Sequence, residues 1–186
     1  MAVVVEPVPP AAADDAALVA RLTGIVNAAY EVGEAGIWLP GTERIASGEV
    51  MAAIRAGELL GAALDGALVG CARAVMLDAT TGEVGLVSAA PEAWGAGVGR
   101  ALVRAAEERL AARGATEMQL ELLVPRGWEQ PHKSRLRGWY ERLGYRVVRT
   151  APFGAIAAPA ASRLAGPAEF LVFRKPLQPF GGSERA

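Results

Sequence analysis

Glu83-Val-Gly-Leu-Val-Ser-Ala-Ala-Pro-Glu-Ala-Trp-Gly-Ala-Gly-Val-Gly99 runs from an apolar strand, through a proline, into a glycine cluster. Residues Gly99 to Arg113 continue it as an amphipathic helix. Leu102, Val103, Ala106 and Leu110 share its apolar face, and Arg104, Glu107, Glu108 and Arg109 face water. Glycines let backbone approach a ligand closely. The free N–H groups of a helix start converge on one spot, and the helix dipole favours an anion there. The order strand, glycine turn, helix therefore predicts a phosphate or pyrophosphate at Gly97 to Arg100.

Three readings compete for this loop. A Walker loop requires Gly-Lys-Ser/Thr at the helix start, and this chain has Gly-Arg-Ala, which excludes it. A dinucleotide fingerprint, G-x-G-x-x-G, finds Arg100 in its sixth position counted from Gly95, and Leu102 counted from Gly97. It also belongs on the first strand of its unit, whereas several strands precede this one. A plain glycine-rich turn is the third reading, and the loop alone leaves it open.

Outward from the loop, the chain alternates strands and helices. Upstream, Val3 to Val8 reads as a strand, and Ala16 to Tyr30 as a helix capped by Asp14-Asp15. Glu31 to Gly41 reads as a loop, and Ser47 to Ala56 as a second helix capped by Ser47. Glu58 to Leu64 and Ala67 to Leu77 form a hairpin about Asp65-Gly66. Glu83 to Ala90 is the strand that enters the loop. Downstream come a strand at Met118 to Val124, a loop at Pro125 to Pro131 and a helix at Ser134 to Leu143. Strands at Gly144 to Thr150 and Ala168 to Lys175 follow, separated by an Ala/Pro-rich segment with one helical turn near Ala160 to Leu164. The class is mixed α/β: one sheet with helices on both faces. Residues 1–178 form a single domain and 179–186 a disordered tail.

Composition narrows the function. The 186 residues suit one domain, and 52% hydrophobic against 21% charged residues suits a folded core. One Cys excludes an intramolecular disulfide and a Cys-based metal site, and one His excludes a multi-His metal centre. No metal is expected. A net charge of −1 argues against a nucleic-acid binder. Basic residues concentrate between Arg126 and Arg149, but nearly all are Arg throughout the chain, as codon bias would also give. Thr150 to Ser162, the longest uncharged run, is too short to span a membrane. The start, MAVVVEPVPP, lacks the basic region of a signal peptide. A soluble, cytoplasmic protein is expected.

Two motifs fit together. Trp94-Gly-Ala-Gly-Val-Gly99 resembles motif A of the GNAT superfamily of N-acetyltransferases, (Q/R)-x-x-G-x-(G/A), with Trp94 where Gln or Arg is usual. Gly138-Trp-Tyr-Glu-Arg-Leu-Gly-Tyr145 resembles motif B of the same superfamily. The resemblance is specific over Ala67 to Thr150 and architectural elsewhere. It implies the GNAT acyl-CoA N-acyltransferase fold and acetyl-CoA as cosubstrate. In such a fold the pantetheine arm would pair with Val87, Ser88 and Ala89. The pyrophosphate would lie on Trp94, Gly95, Ala96, Gly97, Val98, Gly99 and Arg100. The strand Met118 to Val124 would splay away to admit the thioester. Many members carry an Asn before the motif-B helix, where this chain has Lys133-Ser134.

The resemblance also implies chemistry. Glu83 matches a general-base Glu of some members, and strand alternation places Glu83, Gly85, Val87 and Ala89 on one face. Glu121, on the opposing strand, is the alternative base. Tyr140 matches the general acid to the CoA sulfur. Tyr30, Glu34 and Trp38 lie where the family walls its acceptor site, and acidic and aromatic residues there suit a cationic amine. Bland readings stand beside these: Glu83 solvated at a strand start, Tyr140 packed in the core, Cys71 in the core, His132 solvated. The expected activity is acetyl transfer from acetyl-CoA to a primary amine, on a small molecule or a protein, by direct attack. The expected partner is that amine, with neither nucleic acid nor membrane, and a homodimer is compatible. Rivals are an acyl-CoA-binding protein with another donor or no turnover, and a nucleotide-binding regulatory domain.

Overall fold

The computed structural model describes residues 2–177, so the expected tail lies outside the described residues. The elements are β1 (Val3–Pro7), α1 (Ala16–Gly33), α2 (Ser47–Arg55), β2 (Leu59–Leu64), β3 (Ala67–Met76) and β4 (Thr81–Ala89). They continue with α3 (Val98–Ala111), β5 (Glu117–Pro125), α4 (Pro131–Arg142), β6 (Arg146–Pro152), α5 (Phe153–Ala157) and β7 (Ala168–Pro176). One seven-stranded sheet has the order β1-β2-β3-β4-β5-β7-β6. Every neighbouring pair is antiparallel except β4 and β5, which are parallel. No helix among the described residues is long and apolar enough to cross a membrane.

The sheet buries both faces. On one, Leu60, Ala62, Ala72, Ala74 and Val84 meet Val98 of α3 together with Leu102, Val103, Ala106 and Leu110, the apolar stripe expected from the sequence. On the other, Leu59 and Cys71 meet Val19, Leu22 and Val26 of α1 and Val50 and Ile54 of α2. Cys71 is fully buried there. A third cluster, Ile37, Leu123, Phe153, Ala168 and Phe170, anchors α5 against β5 and β7.

Helix ends differ from the sequence reading for local reasons. Asp15 caps α1 as expected, its carboxylate accepting from Ala17 and Leu18 N–H at 3.0 Å. The helix then continues past Tyr30 to Gly33, because neither Glu31 nor Val32 breaks it. At α2 the cap position falls to Ala46 rather than Ser47, and Glu49 reaches back to accept the Ala46 N–H at 2.9 Å. Helix α4 begins at Pro131, inside the expected loop. Proline fits the first helical position, where its missing N–H would be unpaired anyway, and Gln130 caps it by accepting from Lys133 N–H at 2.8 Å.

Strand β4 carries the largest departure. Against β3, Arg73 pairs with Gly85 but Cys71 pairs with Ser88, so β4 holds one extra residue. The bulge centres on Leu86, whose φ of 51° is unusual for a non-glycine residue. It inverts the alternation. Val84 packs toward α3 and Leu86 toward α1 and α2, and then Val87 and Ala89 pack toward α3 again. Glu83 and Gly85 therefore do not share a face with Val87 and Ala89, contrary to the uninterrupted alternation expected. Nothing in the Leu86 side chain announces a bulge.

Candidate active site

Strands β4 and β5 pair over three positions only, Thr81 with Glu117, Gly82 with Met118 and Glu83 with Gln119. Beyond them the strands part. Each keeps its outer neighbour: β4 stays paired to β3 as far as Ala89, and β5 to β7 as far as Pro125. The inner edges thus face a gap, and the bulge at Leu86 bends β4 where it opens. A cavity of about 490 Å³ fills the gap. Its walls are the end of α1, Val87 to Ala89 of β4, the glycine loop, Glu121 to Leu123 of β5, and one face of α4.

The loop builds an anion cradle. Gly97 is the N-cap of α3 in a left-handed conformation, φ 86°, with no side-chain cap. Among the described residues, the N–H groups of Val98, Gly99 and Arg100 find no acceptor in the protein. A Cβ built on Gly95 or Gly97 would meet no atom within 4 Å, so these glycines border open space. Free donors, a positive helix end and bare backbone fit a pyrophosphate. Trp94 turns away from this role: its Nε1–H donates to the Ala89 carbonyl at 2.8 Å. Its ring lies against His132 of α4, centroids 5.2 Å apart, bridging the two sides of the gap. Instead of being solvated, His132 lines the cavity, and burial lowers its pKa.

Tyr140 lines the cavity from α4, only 8% exposed. Its ring is held by Trp139, Tyr145 and Phe173, with centroids at 4.7, 6.0 and 5.9 Å. Burial pushes the phenol pKa up, so it stays protonated at neutral pH. Its hydroxyl makes no hydrogen bond among the described residues, which leaves it available to a ligand.

Two carboxylates share the far side of the opening. Glu121 lines the cavity, whereas Glu83 sits behind it at the last paired position of β4. Gln119 Nε2–H donates to Glu83 Oε2 at 3.3 Å. Burial raises the pKa of both, and the charge of Glu83 raises Glu121 further. A carboxylate raised in this way moves toward the range where it can exchange a proton near neutral pH.

The residues expected on the acceptor side are arranged in a way the sequence did not reveal. Glu34 is 3% exposed. Its carboxylate accepts from Lys133 Nζ at 2.7 Å and from the Trp38 indole, and lies 3.4 Å from Arg44 Nε. It lines the cavity with its charge already engaged inside the protein. Tyr30 lines the cavity between two cations, Arg44 at 5.0 Å and Lys133 at 5.8 Å from its ring centre, and burial pushes its pKa up to about 12. Trp38 lies outside the cavity, edge-on to Phe153 at 5.7 Å. Lys133, Arg44, Gln130 and Asn27 were not singled out from sequence. Only Lys133 had a signal, standing where an Asn is usual.

The Acetyltransferase (GNAT) family model matches residues 28–145, well over half of the chain. Solved structures share the fold at low identity. The PaiA N-acetyltransferase of Thermoplasma acidophilum, in complex with coenzyme A, superposes with a TM-score of 0.69 at 17% identity, over 95% of this chain and 100% of that one. YncA of Salmonella typhimurium, solved with its cofactor acetyl-CoA, gives 0.63 at 17% identity over 100% of both chains. The IAA acetyltransferase of Bacillus cereus gives 0.63 at 14% identity, over 95% of this chain and 100% of that one. No curated protein matches the chain by sequence.

Proposed function

The chain belongs to the GNAT acetyltransferase family, and on that premise we propose that it transfers the acetyl group of acetyl-CoA to a primary amine by direct attack. One observation carries the reading. The parted inner edges of β4 and β5 and the uncapped N-terminus of α3 open into the same cavity. An unpaired strand edge offers hydrogen bonds to an extended amide-bearing arm, and a free helix start offers them to an anion. Acetyl-CoA has both, joined in that order behind its thioester.

In this reading the N–H groups of Val98, Gly99 and Arg100 hold the pyrophosphate, with Gly95 and Gly97 keeping the approach bare. The edge at Val87 to Ala89 receives the pantetheine arm. The thioester supplies an electrophilic carbonyl carbon, which the amine attacks. Glu121 takes the amine proton, directly or through water, and Glu83 behind it sets how readily it does so. Tyr140 donates a hydrogen bond to the sulfur as negative charge gathers there, and the acetyl–sulfur bond breaks as the amide forms. With Trp94 bonded to Ala89, backbone donors replace the polar side chain usual in that position.

Calorimetry with CoA, followed by thiol release from acetyl-CoA on adding primary amines, tests the proposal. Stoichiometric binding with amine-dependent thiol release is the expected result. Binding without turnover by any amine would leave a CoA-binding protein, and the absence of binding would overturn the reading.

A further inference from the structure

Arg44 is held in place but not used up. The loop that carries it is clamped to α1 by Asn27, whose Oδ1 accepts from Arg44 and Ile45 N–H at 2.9 and 3.0 Å. Asn27 Nδ2–H returns a bond to the Ile45 carbonyl at 3.0 Å. The guanidinium rests over two rings, 5.0 Å from the centre of Tyr30 and 5.7 Å from that of Trp38. Yet its donors lack acceptors. Nε is buried without a hydrogen-bond partner, since Glu34 at 3.4 Å is not aligned to accept from it. Among the described residues neither terminal nitrogen of Arg44 makes a hydrogen bond, and its ion pair to Glu34 approaches through Nε. Glu34 does not need Arg44, because Lys133 and Trp38 already engage it.

The local charge count points the same way. Arg44 and Lys133 face a single carboxylate, Glu34, and burial keeps His132 from adding or removing charge at neutral pH by lowering its pKa. A fixed, planar fork beside a cavity, with one positive charge in excess, matches a carboxylate. Arg44 and Glu121 line the same cavity. Resting on the acetyl-transfer reading above, we propose that Arg44 forms a carboxylate subsite and that the acceptor is a small amino carboxylate. Its amine is directed to Glu121 and its carboxylate to Arg44.

The test pairs each standard amino acid with its α-amide as acceptor and follows thiol release from acetyl-CoA. Amidation removes the carboxylate and lowers the basicity of the amine, so more of the amide is free to attack. A preference for the acid therefore reports recognition rather than nucleophilicity. Wild-type protein should prefer the acid of its acceptor pair by about 10- to 100-fold in kcat/KM, mostly through KM. Arg44→Gln should abolish that ratio, and Arg44→Lys, which keeps the charge but not the fork, should recover part of it. CoA affinity by calorimetry, with thermal unfolding, shows that each variant is folded and cofactor-competent. Equal use of acid and amide by wild type would overturn the proposal. So would a preference that survives in folded Arg44→Gln, or CoA binding without turnover of any member of the panel. Failure of the wild type to bind CoA would instead overturn the acetyl-transfer reading beneath it.

Discussion

Replacing Gly97 by Val separates backbone strain from loss of the anion cradle. At φ 86° an L residue is strained, at a cost of about 1–2 kcal/mol. In a chain of this length that lowers Tm by about 2–8 °C. The added side chain meets no protein atom and so projects into the open space beside the α3 N-terminus. There, on the proposed reading, it would displace the pyrophosphate from at least one charge-assisted N–H bond. With the dipole's contribution, that is about 2–4 kcal/mol, or about 30- to 1000-fold in CoA affinity. Gly66 supplies the matched control. It sits in the β2–β3 turn at φ 84°, also with nothing within 4 Å of an added Cβ, and it does not line the cavity. Gly66→Val should melt lower by a similar amount and bind CoA like wild type. Calorimetry and thermal unfolding of both variants decide the matter. Equal CoA affinities in two folded, comparably destabilised variants would refute the cradle.

Further perturbations probe the rest of the site. Tyr140→Phe keeps the ring among Trp139, Tyr145 and Phe173, so it should lower kcat about tenfold to a thousandfold with little change in the acetyl-CoA KM. A base works only as the carboxylate, so kcat/KM should fall as pH drops through the raised pKa of Glu121. Glu121→Gln should lower the rate and flatten that limb, and Glu83→Gln, by removing a repelling charge, should move it to lower pH. Glu34→Gln leaves Lys133 buried beside a neutral partner and should cost about 3–5 kcal/mol in urea unfolding, a loss partly restored by adding Lys133→Met. Trp94→Arg should leave CoA affinity intact or tighten it, because its present side chain bonds Ala89 and packs against His132. A large loss by calorimetry would show that the indole contributes directly.

What could be read from sequence was local. The run from Glu83 to Arg113 declares a strand, a turn and a helix within one window, and motif B adds a second window around Tyr140. The strands and helices α1 to α4 followed from such windows, whereas α5, at Phe153–Ala157, falls in a segment expected to hold only one turn near Ala160 to Leu164. The bulge did not, because Leu86 is an ordinary strand residue and its φ goes with the register shift of β4 against β3. The Glu34–Lys133 pair did not, because 99 positions separate its members. An acidic residue in an expected loop reads as an attraction for a cationic amine. Its cation turned out to be supplied by α4, reached once Pro131 started that helix early. Asn27 lies on a helix face that periodicity alone marks as neutral, and its use as a clamp depends on where the α1–α2 loop returns.

The three residue pairs that join β4 to β5 act as a pin between two stiff plates. Gly82 is its tightest point, where a Cβ would fall 2.8 Å from Leu110 Cδ1 and 2.9 Å from Met118 Sδ. From Glu83 to Ala89 the lever arm is roughly 20 Å, so a tilt of about 3° at the pin swings its open end by about 1 Å. A misplacement of that size at reacting atoms is worth about a hundredfold in rate. Leu110 and Met118, both fully buried and neither lining the cavity, brace that pin, so on the proposed reading enlarging or trimming either resets the jaw without touching the tooth.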